Sequence, residues 1–304
     1  MKKSFFVVCL IIAGFSFSGF SSDKPAYKVF TSKGRSADYG DLIKAARSSE
    51  IIFFGEIHDN PICHWLELQL ATDLLKVNGK NLVLGAEMFE TDNQLLLNEY
   101  VTRQIIRKKD FDAEAKLWPN YKTDYSPLVE FARENKVRFI ATSIPRRFAA
   151  IVNLKGFEGL DSIMGNERGL IAPLPIPYDS SVNCYKNITE AVKGVPHMGA
   201  NIAKAQAIKD ATMASFILKN FLADSTVFLH FNGSYHSENH EGIVWMMQQY
   251  LLKGNLSPKI LTITCVEQDK LDDLEKSNEG TADFIIIIPS DMTKTYAVDQ
   301  AKVK

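Results

Sequence analysis

The hydrophobic pattern of residues 51–60 predicts a buried strand that ends in a polar turn. Residues 51–54 are four consecutive apolar residues of β-branched and aromatic types, which is typical of a strand buried on both faces. The run stops at Gly55, and a helical pattern begins at Pro61, a residue that suits the first turn of a helix. The polar residues between them are Glu56, His58, Asp59 and Asn60. In an open α/β sheet, such a turn lies at the strand ends where the ligand crevice is found.

Residues 81–90 repeat this design, because an apolar run is followed by Gly85 and then by Glu87. Helical and strand-like patterns then alternate along most of the chain. We predict helices over residues 39–46, 62–76, 128–135, 202–222 and 240–252. We predict strands over residues 51–54, 81–84, 137–141, 226–231, 260–264 and 284–288. This alternation is typical of an α/β fold with a mainly parallel central sheet and helices on both faces.

The alternation lapses in two stretches, at about residues 91–125 and 148–200, where the pattern is helical without intervening strands. We interpret both as parts of a smaller helical lobe. The remaining chain length favours one large α/β domain over residues 23–304 rather than two independent units.

The first 22 residues have the pattern of an export signal. Two lysines are followed by an apolar run over residues 5–17 and then by small residues suited to cleavage. The apolar run is shorter than the ~20 residues that a membrane-spanning helix needs. Cys9 lies too early in this run to be a lipid-attachment site. We therefore expect an exported protein, periplasmic or secreted, without a lipid anchor.

Charge and cysteine content indicate which partners and which disulfides to expect. The chain has 35 Lys and Arg against 36 Asp and Glu, and removal of residues 1–22 changes the net charge from −1 to 33 − 36 = −3. This balance argues against nucleic acid as a partner, since phosphate binding requires a basic surface. The cysteines beyond residue 22, Cys63, Cys184 and Cys265, are an odd and widely spaced set, so no disulfide framework is expected, although one bridge remains open.

Polar and charged residues follow several of the predicted strands and should meet at one rim of the sheet. They are Glu56, His58, Glu87, Arg146, Arg147, His230, Asn232 and His236. Two carboxylates beside a histidine are suited to general acid–base chemistry, and the same groups can bind a divalent metal. An alternative is a structural ion pair between Glu56 or Glu87 and one of the two arginines.

Several other residues carry weaker signals. The segment 236–240 has histidines four apart, but its glutamate stands at the third position, whereas zinc-protease helices have it second or fourth. We expect His64 and His197 to be surface or capping residues. Phenolate can ligate haem iron, although amphipathic packing is the more common role of a tyrosine. The tyrosines considered on this ground are Tyr121, Tyr125, Tyr178, Tyr185 and Tyr235.

Six separated segments resemble the ChaN family, a haem-binding-uptake group allied to the Tiki/TraB and erythromycin-esterase-like proteins. The segments lie in family order between residues 51 and 243 and include Gly-Glu-Ile-His-Asp-Asn-Pro and Gly-Ala-Glu-Met-Phe-Glu. Their ranges are 55–61, 85–90, 125–135, 144–147, 205–214 and 232–243. The chain departs from the family at the last segment, where Tyr235 is inserted into a turn that commonly reads Gly-Asn-Gly-His.

The resemblance implies an α/β domain with a smaller helical lobe that binds haem, an iron porphyrin, for bacterial iron acquisition. It leaves open a homodimer and a peripheral association with the outer membrane. The candidate haem contacts are Tyr235, His236, Tyr125, His58, Arg146 and Arg147. Tyr235 is the first choice for the axial ligand because it shares a turn with His236, and Tyr125 is the second because it opens a helix beside the apolar lobe.

The wider superfamily includes hydrolases, so the resemblance also implies an alternative function at the same rim. A metal-dependent or acid–base hydrolase would use four residues of this chain by position, namely Glu56, His58, Glu87 and His236. No residues are assigned as metal ligands, although a divalent metal remains an open alternative to haem.

Overall fold

The computed structural model describes residues 23–194, 199–221, 226–252, 254 and 257–296. The predicted export signal with Cys9, and also His197, lie outside these residues. Within them the strands are β1 Lys28–Thr31, β2 Ser36–Ala37, β3 Ile51–Glu56, β4 Leu82–Glu90, β5 Arg138–Ser143, β6 Val227–Gly233, β7 Ile260–Gln268 and β8 Phe284–Pro289. The α-helices are α1 Tyr39–Arg47, α2 Pro61–Asn78, α3 Gln94–Leu97, α4 Lys108–Glu114, α5 Tyr121–Asp124, α6 Ser126–Asn135, α7 Arg146–Lys155, α8 Asn183–Ala191, α9 Ile202–Phe221 and α10 Ile243–Leu252.

The strands form one eight-stranded sheet in the order β2-β1-β8-β7-β3-β6-β4-β5. The six strands from β8 to β5 are parallel to one another, whereas β1 is antiparallel to both β8 and β2. The predicted fold class, an α/β protein with a mainly parallel sheet, is confirmed. The strand β3 lies between β7 and β6, so its carboxyl end is at the centre of the parallel part of the sheet.

Alternate residues of β3 enter two different hydrophobic cores. Ile52 and Phe54 pack with α2 and α6 on one face, and Ile51 and Phe53 pack with α7, α9 and α10 on the other. All four side chains are at most 1% exposed. A strand buried on both faces needs apolar residues at successive positions, which explains the uninterrupted apolar run in the sequence.

Some elements differ from the prediction. No strand was predicted before residue 51, because β1 has four residues and β2 only two, too few for an alternating pattern to be read. The helix predicted from residue 240 begins instead at Ile243, since Asn239 and His240 have φ values of 58° and 57°, which helices do not contain. His236 and His240 therefore do not share a helix.

The two stretches grouped as a helical lobe contribute to different cores. Residues 91–125 pack through side chains such as Tyr100 and Phe111 on the face covered by α2, and residues 148–200 pack through side chains such as Leu160 and Tyr185 on the face covered by α9. Among the helices that the structure describes, none is long and apolar enough to cross a membrane.

The close approach of strand and aromatic ring at Gly85 generates a stability prediction. A methyl group at Gly85 would come within 2.6 Å of the Phe228 ring, whereas nothing lies within 4 Å of a methyl group at Gly169. We expect Gly85→Ala to lower the free energy of unfolding by about 1–3 kcal/mol, because overpacking a closed core forces its neighbours to move. The matched control Gly169→Ala should change it by less than about 0.5 kcal/mol. Urea unfolding measures both, and equal midpoints would refute the predicted overpacking.

Candidate functional site

The rim predicted from the sequence exists at the carboxyl ends of β3, β4 and β6. The parallel register of β3 and β6 pairs Glu56 with Gly233, and the backbone N–H of Gly233 donates to Glu87 Oε2 at 2.8 Å. A methyl group at Gly233 would lie 2.8 Å from His58 Nε2 and 3.6 Å from Glu87 Oε2. The absence of a side chain at Gly233 thus lets the groups of three elements converge on one turn.

One carboxylate–imidazole pair joins Glu56 and His58. Glu56 is 1% exposed, and its Oε1 accepts hydrogen bonds from His58 Nδ1 at 2.6 Å and from the Tyr125 hydroxyl at 2.7 Å. Burial opposes ionisation of Glu56, but His58 and His64 outweigh it and lower the pKa of this carboxyl. The His58 side chain is 44% exposed and stands against Trp118, with ring centroids 5.0 Å apart. His58 is therefore an oriented imidazole at the surface of the protein.

A second pair joins Glu87 and His236, and Asp210 extends it. His236 Nε2 lies 3.1 Å from Glu87 Oε1, and His236 Nδ1 lies 2.5 Å from Asp210 Oδ1. Burial disfavours a charged imidazole, but the Glu87 and Asp210 carboxylates outweigh it and raise the pKa of His236 to about 10. Burial likewise opposes ionisation of Glu87, but His236 holds the pKa of Glu87 well below its usual range. At neutral pH, His236 is an imidazolium held by Glu87 and Asp210, although burial raises the pKa of Asp210.

A third group lies beneath the first pair and was not predicted. His64, expected to be a surface or capping residue, is 8% exposed, and Glu67 is 1% exposed. His64 Nδ1 lies 3.1 Å from Glu67 Oε2 and 3.7 Å from Glu56 Oε2. Burial and the Glu56 charge raise the pKa of Glu67 well above its usual value. The sequence did contain a signal, since Glu67 is an acid on a helix face that is otherwise apolar at Cys63, Leu66, Leu70 and Leu74.

The two arginines of the rim line a surface cleft and do not bind the rim carboxylates. The cleft has a volume of about 730 Å³, and its lining residues are Glu90, Lys116, Leu117, Trp118, Pro119, Arg146, Arg147 and Ala150. Arg147 pairs with Asp92 at 2.5 Å, as does Lys116 at 2.8 Å. Arg146 is exposed and has no ion pair within the part of the chain that the structure describes. The alternative of an arginine paired with Glu56 or Glu87 is therefore wrong.

The hydroxyl groups of the two predicted tyrosine ligands donate hydrogen bonds to other groups of the protein. Tyr125 is 2% exposed and donates to Glu56, and the Tyr235 hydroxyl donates to the carbonyl oxygen of Cys184 at 2.5 Å. Burial raises the pKa of Tyr235 to about 12 and that of Tyr125 further. Either phenol would have to break an internal hydrogen bond to reach an iron.

His230, grouped with the rim by sequence, is a fully buried core residue. It contacts the Thr142 hydroxyl at 2.8 Å and Asn232 Oδ1 at 3.0 Å. Burial lowers the pKa of His230 to about 4, so the ring is neutral and structural. The cysteines Cys63, Cys184 and Cys265 are free and buried, and the disulfide that the sequence left open is not formed.

Comparison with known proteins places this site in a family. The family described as haem-binding uptake, Tiki superfamily, ChaN matches residues 42–247, which contain all the rim residues. The chain belongs to this family. The family resemblance seen in the six sequence segments is thereby confirmed.

Two solved structures have a similar fold. The structure entitled "Cofacial heme binding to ChaN of Campylobacter jejuni" superposes with a TM-score of 0.63 and 18% identity, covering 86% of this chain and 96% of that one. A succinoglycan biosynthesis protein superposes with a TM-score of 0.51 and 11% identity, covering 87% and 94%. At these identities, both structures establish the fold alone.

A plant sequence is also related to part of the chain. The Arabidopsis thaliana protein RETICULATA-RELATED 5, chloroplastic, is 26% identical over 188 residues, which are 57% of this chain and 25% of that protein. The chain therefore spans about a quarter of the length of this curated relative.

The charge on His236 predicts how stability depends on pH. Its pKa in the folded protein, about 10, is above the ordinary value of 6.5. The stabilisation from the charged ring is thus complete below pH 6.5 and is lost as the pH rises toward 10. Urea unfolding of wild type and His236→Gln should show a gap of a few kcal/mol at pH 6 that narrows steadily toward pH 10. A gap that is constant over this range would contradict an imidazolium at this position.

Proposed function

We propose that this ChaN-family chain is an exported protein that binds haem for bacterial iron and haem uptake, with His58 as the axial ligand of the iron. The proposal rests on the orientation, exposure and free nitrogen of the His58 ring. Glu56 holds its Nδ1 at 2.6 Å, the side chain is 44% exposed, and Nε2 has no hydrogen-bond partner within the described residues.

The chemistry of His58 suits an iron ligand. A carboxylate that accepts the Nδ1 proton fixes the orientation of the ring. Burial opposes a charged His58 ring, but Glu56 outweighs it and raises the pKa, so a metal would bind Nε2 by displacing its proton. Metal-bound histidines commonly have such a carboxylate on the second nitrogen, which also makes the ring a stronger donor. His236 has no free nitrogen, since both are held by Glu87 and Asp210. Between the two histidines predicted as haem contacts, the geometry therefore favours His58.

The neighbouring cleft fits the remainder of a haem. Its volume of about 730 Å³ is within the usual range of ligand sites, roughly 300–1,000 Å³. Leu117, Trp118 and Pro119 give it apolar walls, and the contact of Trp118 with His58 joins the cleft to the proposed ligand. Arg146 supplies a cation for a propionate, since it has no partner among the residues described. The cofacial haem reported for the Campylobacter protein supports haem as the ligand.

The hydrolase alternative is supported by the second pair. Glu87 and His236 have pKa values displaced in opposite directions, a pattern found in acid–base sites as well as in structural ion pairs. Because His236 is charged at neutral pH, it could donate a proton but could not accept one. A hydrolase of this kind should lose turnover in Glu87→Gln while keeping haem affinity.

The ligand assignment predicts the outcome of haem titration. His58→Ala should change the haem absorbance spectrum and weaken binding by at least about tenfold, or about 1.4 kcal/mol, because the axial ligand is removed. Tyr235→Phe and Tyr125→Phe should keep the wild-type spectrum. Arg146→Gln should weaken binding by less than about tenfold without a spectral change, since it removes one exposed charge.

The matched control is His240→Ala, because His240 is similarly exposed but pairs with Asp283. Its titration should equal that of wild type. A His58→Ala protein with unchanged spectrum and affinity would contradict the assignment, and so would a loss of the spectrum in Tyr235→Phe. Absence of saturable haem binding by wild type at micromolar protein would reject haem as the ligand.

Export generates a separate prediction. Cleavage after the small residues near Ser22 should leave a mature chain that begins at residue 22 or 23 without a lipid, because Cys9 is removed with the signal. The intact mass of protein recovered from its native host measures this. A diacylglycerol adduct on any cysteine would refute the absence of an anchor.

A further inference from the structure

We propose that Glu56, His64 and Glu67 bind one divalent transition-metal ion inside the fold, beneath the haem-binding rim. The ligand atoms of these three residues lie within 4.8 Å of one another, and all three side chains are buried. The site is distinct from the rim, since it uses the opposite oxygen of Glu56 from the one that holds His58. It shares Glu56 with the proposed haem site, but the proposal does not require haem to be the ligand of the rim.

The hydrogen bonds of His64 direct a lone pair at the two carboxylates. Its Nε2 lies 3.1 Å from the backbone carbonyl oxygen of His58, and because a carbonyl only accepts, Nε2 carries the proton. In the neutral ring, Nδ1 is then unprotonated, and it faces Glu67 Oε2 at 3.1 Å and Glu56 Oε2 at 3.7 Å. A lone pair opposite two carboxylate oxygens is repulsive unless a metal ion or a proton lies between them.

Two buried oxygens in the group are also without a hydrogen bond. Glu56 Oε2 and Glu67 Oε1 have no partner among the described residues, although both side chains are only 1% exposed. Leaving a buried carboxyl oxygen without a hydrogen bond is costly. A divalent ion would satisfy both oxygens and balance both charges.

The spacing and the surrounding contacts suit coordination. Ligand atoms at about 2.0–2.2 Å from a metal stand roughly 3.0–3.5 Å apart, close to the 3.1 and 3.7 Å measured from His64 Nδ1. The His58 carbonyl orients His64, and the Tyr125 hydroxyl orients Glu56, as outer contacts do in known metal sites. One imidazole with two carboxylates favours Zn²⁺, Mn²⁺ or Co²⁺ over Mg²⁺ or Ca²⁺.

The rival occupant of this position is a proton shared between Glu56 and Glu67. The substitution Glu67→Gln separates the two, because glutamine has the shape of a protonated glutamic acid and can donate to Glu56. If a proton is shared, Glu67→Gln should be as stable as wild type, and wild type should bind no metal. A metal site would lose its ion in Glu67→Gln while the fold remains.

The experiment uses the full mature chain without a histidine tag, stripped with EDTA and dialysed against Co²⁺, Zn²⁺ or Mn²⁺. We expect about one ion per chain by elemental analysis, and visible Co²⁺ absorption bands from the bound ion. Glu67→Gln and His64→Asn should each weaken binding by at least about tenfold. The controls are Asp73→Asn, an acid on the same helix that pairs with Lys76, and His240→Asn, and both should bind like wild type.

Two results would overturn the site. Either wild type holds no stoichiometric ion of the three metals, or Glu67→Gln and His64→Asn keep the ion, which would place it elsewhere. Circular dichroism of each variant establishes that the fold is present, and the wild-type result stands even if a variant fails to fold. Haem titration of the same samples is a separate readout. Loss of haem binding with the metal retained would reject the proposed function alone, and loss of the metal with haem binding retained would reject the metal site alone.

Discussion

The buried carboxylate of Glu56 is the constraint on which the site depends. It ends β3, the strand between the two cores, and it is 1% exposed. An ionised group at this depth needs partners. The chain supplies His58 from the following turn, the His64–Glu67 pair from α2, and Tyr125 from the residue before α6. The same need explains why Asn120 and His64 both bind the His58 carbonyl, which fixes the turn that carries the histidine.

The rim divides its two histidines between different roles. His236 is closed in by Glu87 and Asp210, so its charge contributes to holding β4, α9 and the end of β6 together. His58 is held by one nitrogen and exposed at the rest of its ring. Gly233 is essential to this arrangement, because any side chain there would occupy the space of His58 and approach Glu87. A family assignment alone does not distinguish these roles, whereas the hydrogen bonds do.

Sequence reasoning found the parts of the protein that depend on local pattern. The double-sided apolar run of β3, the Asn60–Pro61 helix start and the acids after β3 and β4 were all predicted, and Asn60 caps α2 through its side chain. Contacts between residues that are distant in sequence were not predicted. Asp210 lies in the middle of α9 among the buried apolar residues Ala207, Ile208 and Ala211. It meets His236 26 residues later, and the sequence does not indicate which residue it contacts.

The tyrosines illustrate the same limit. Tyr235 was favoured because it adjoins His236 in sequence, yet its hydroxyl turns to the Cys184 carbonyl on α8. Proximity along the chain does not determine the direction of a side chain. By contrast, Glu67 on the apolar face of α2 was a readable signal, since a buried acid at helical spacing requires a partner.

The most direct test of the account is a crystal structure of the haem complex with the iron located by its anomalous scattering. The account predicts an iron peak bonded to His58 Nε2, with Glu56 still on Nδ1 and a propionate directed to Arg146. An iron bonded to Tyr235 or Tyr125, or a haem outside the cleft beside Trp118, would contradict it.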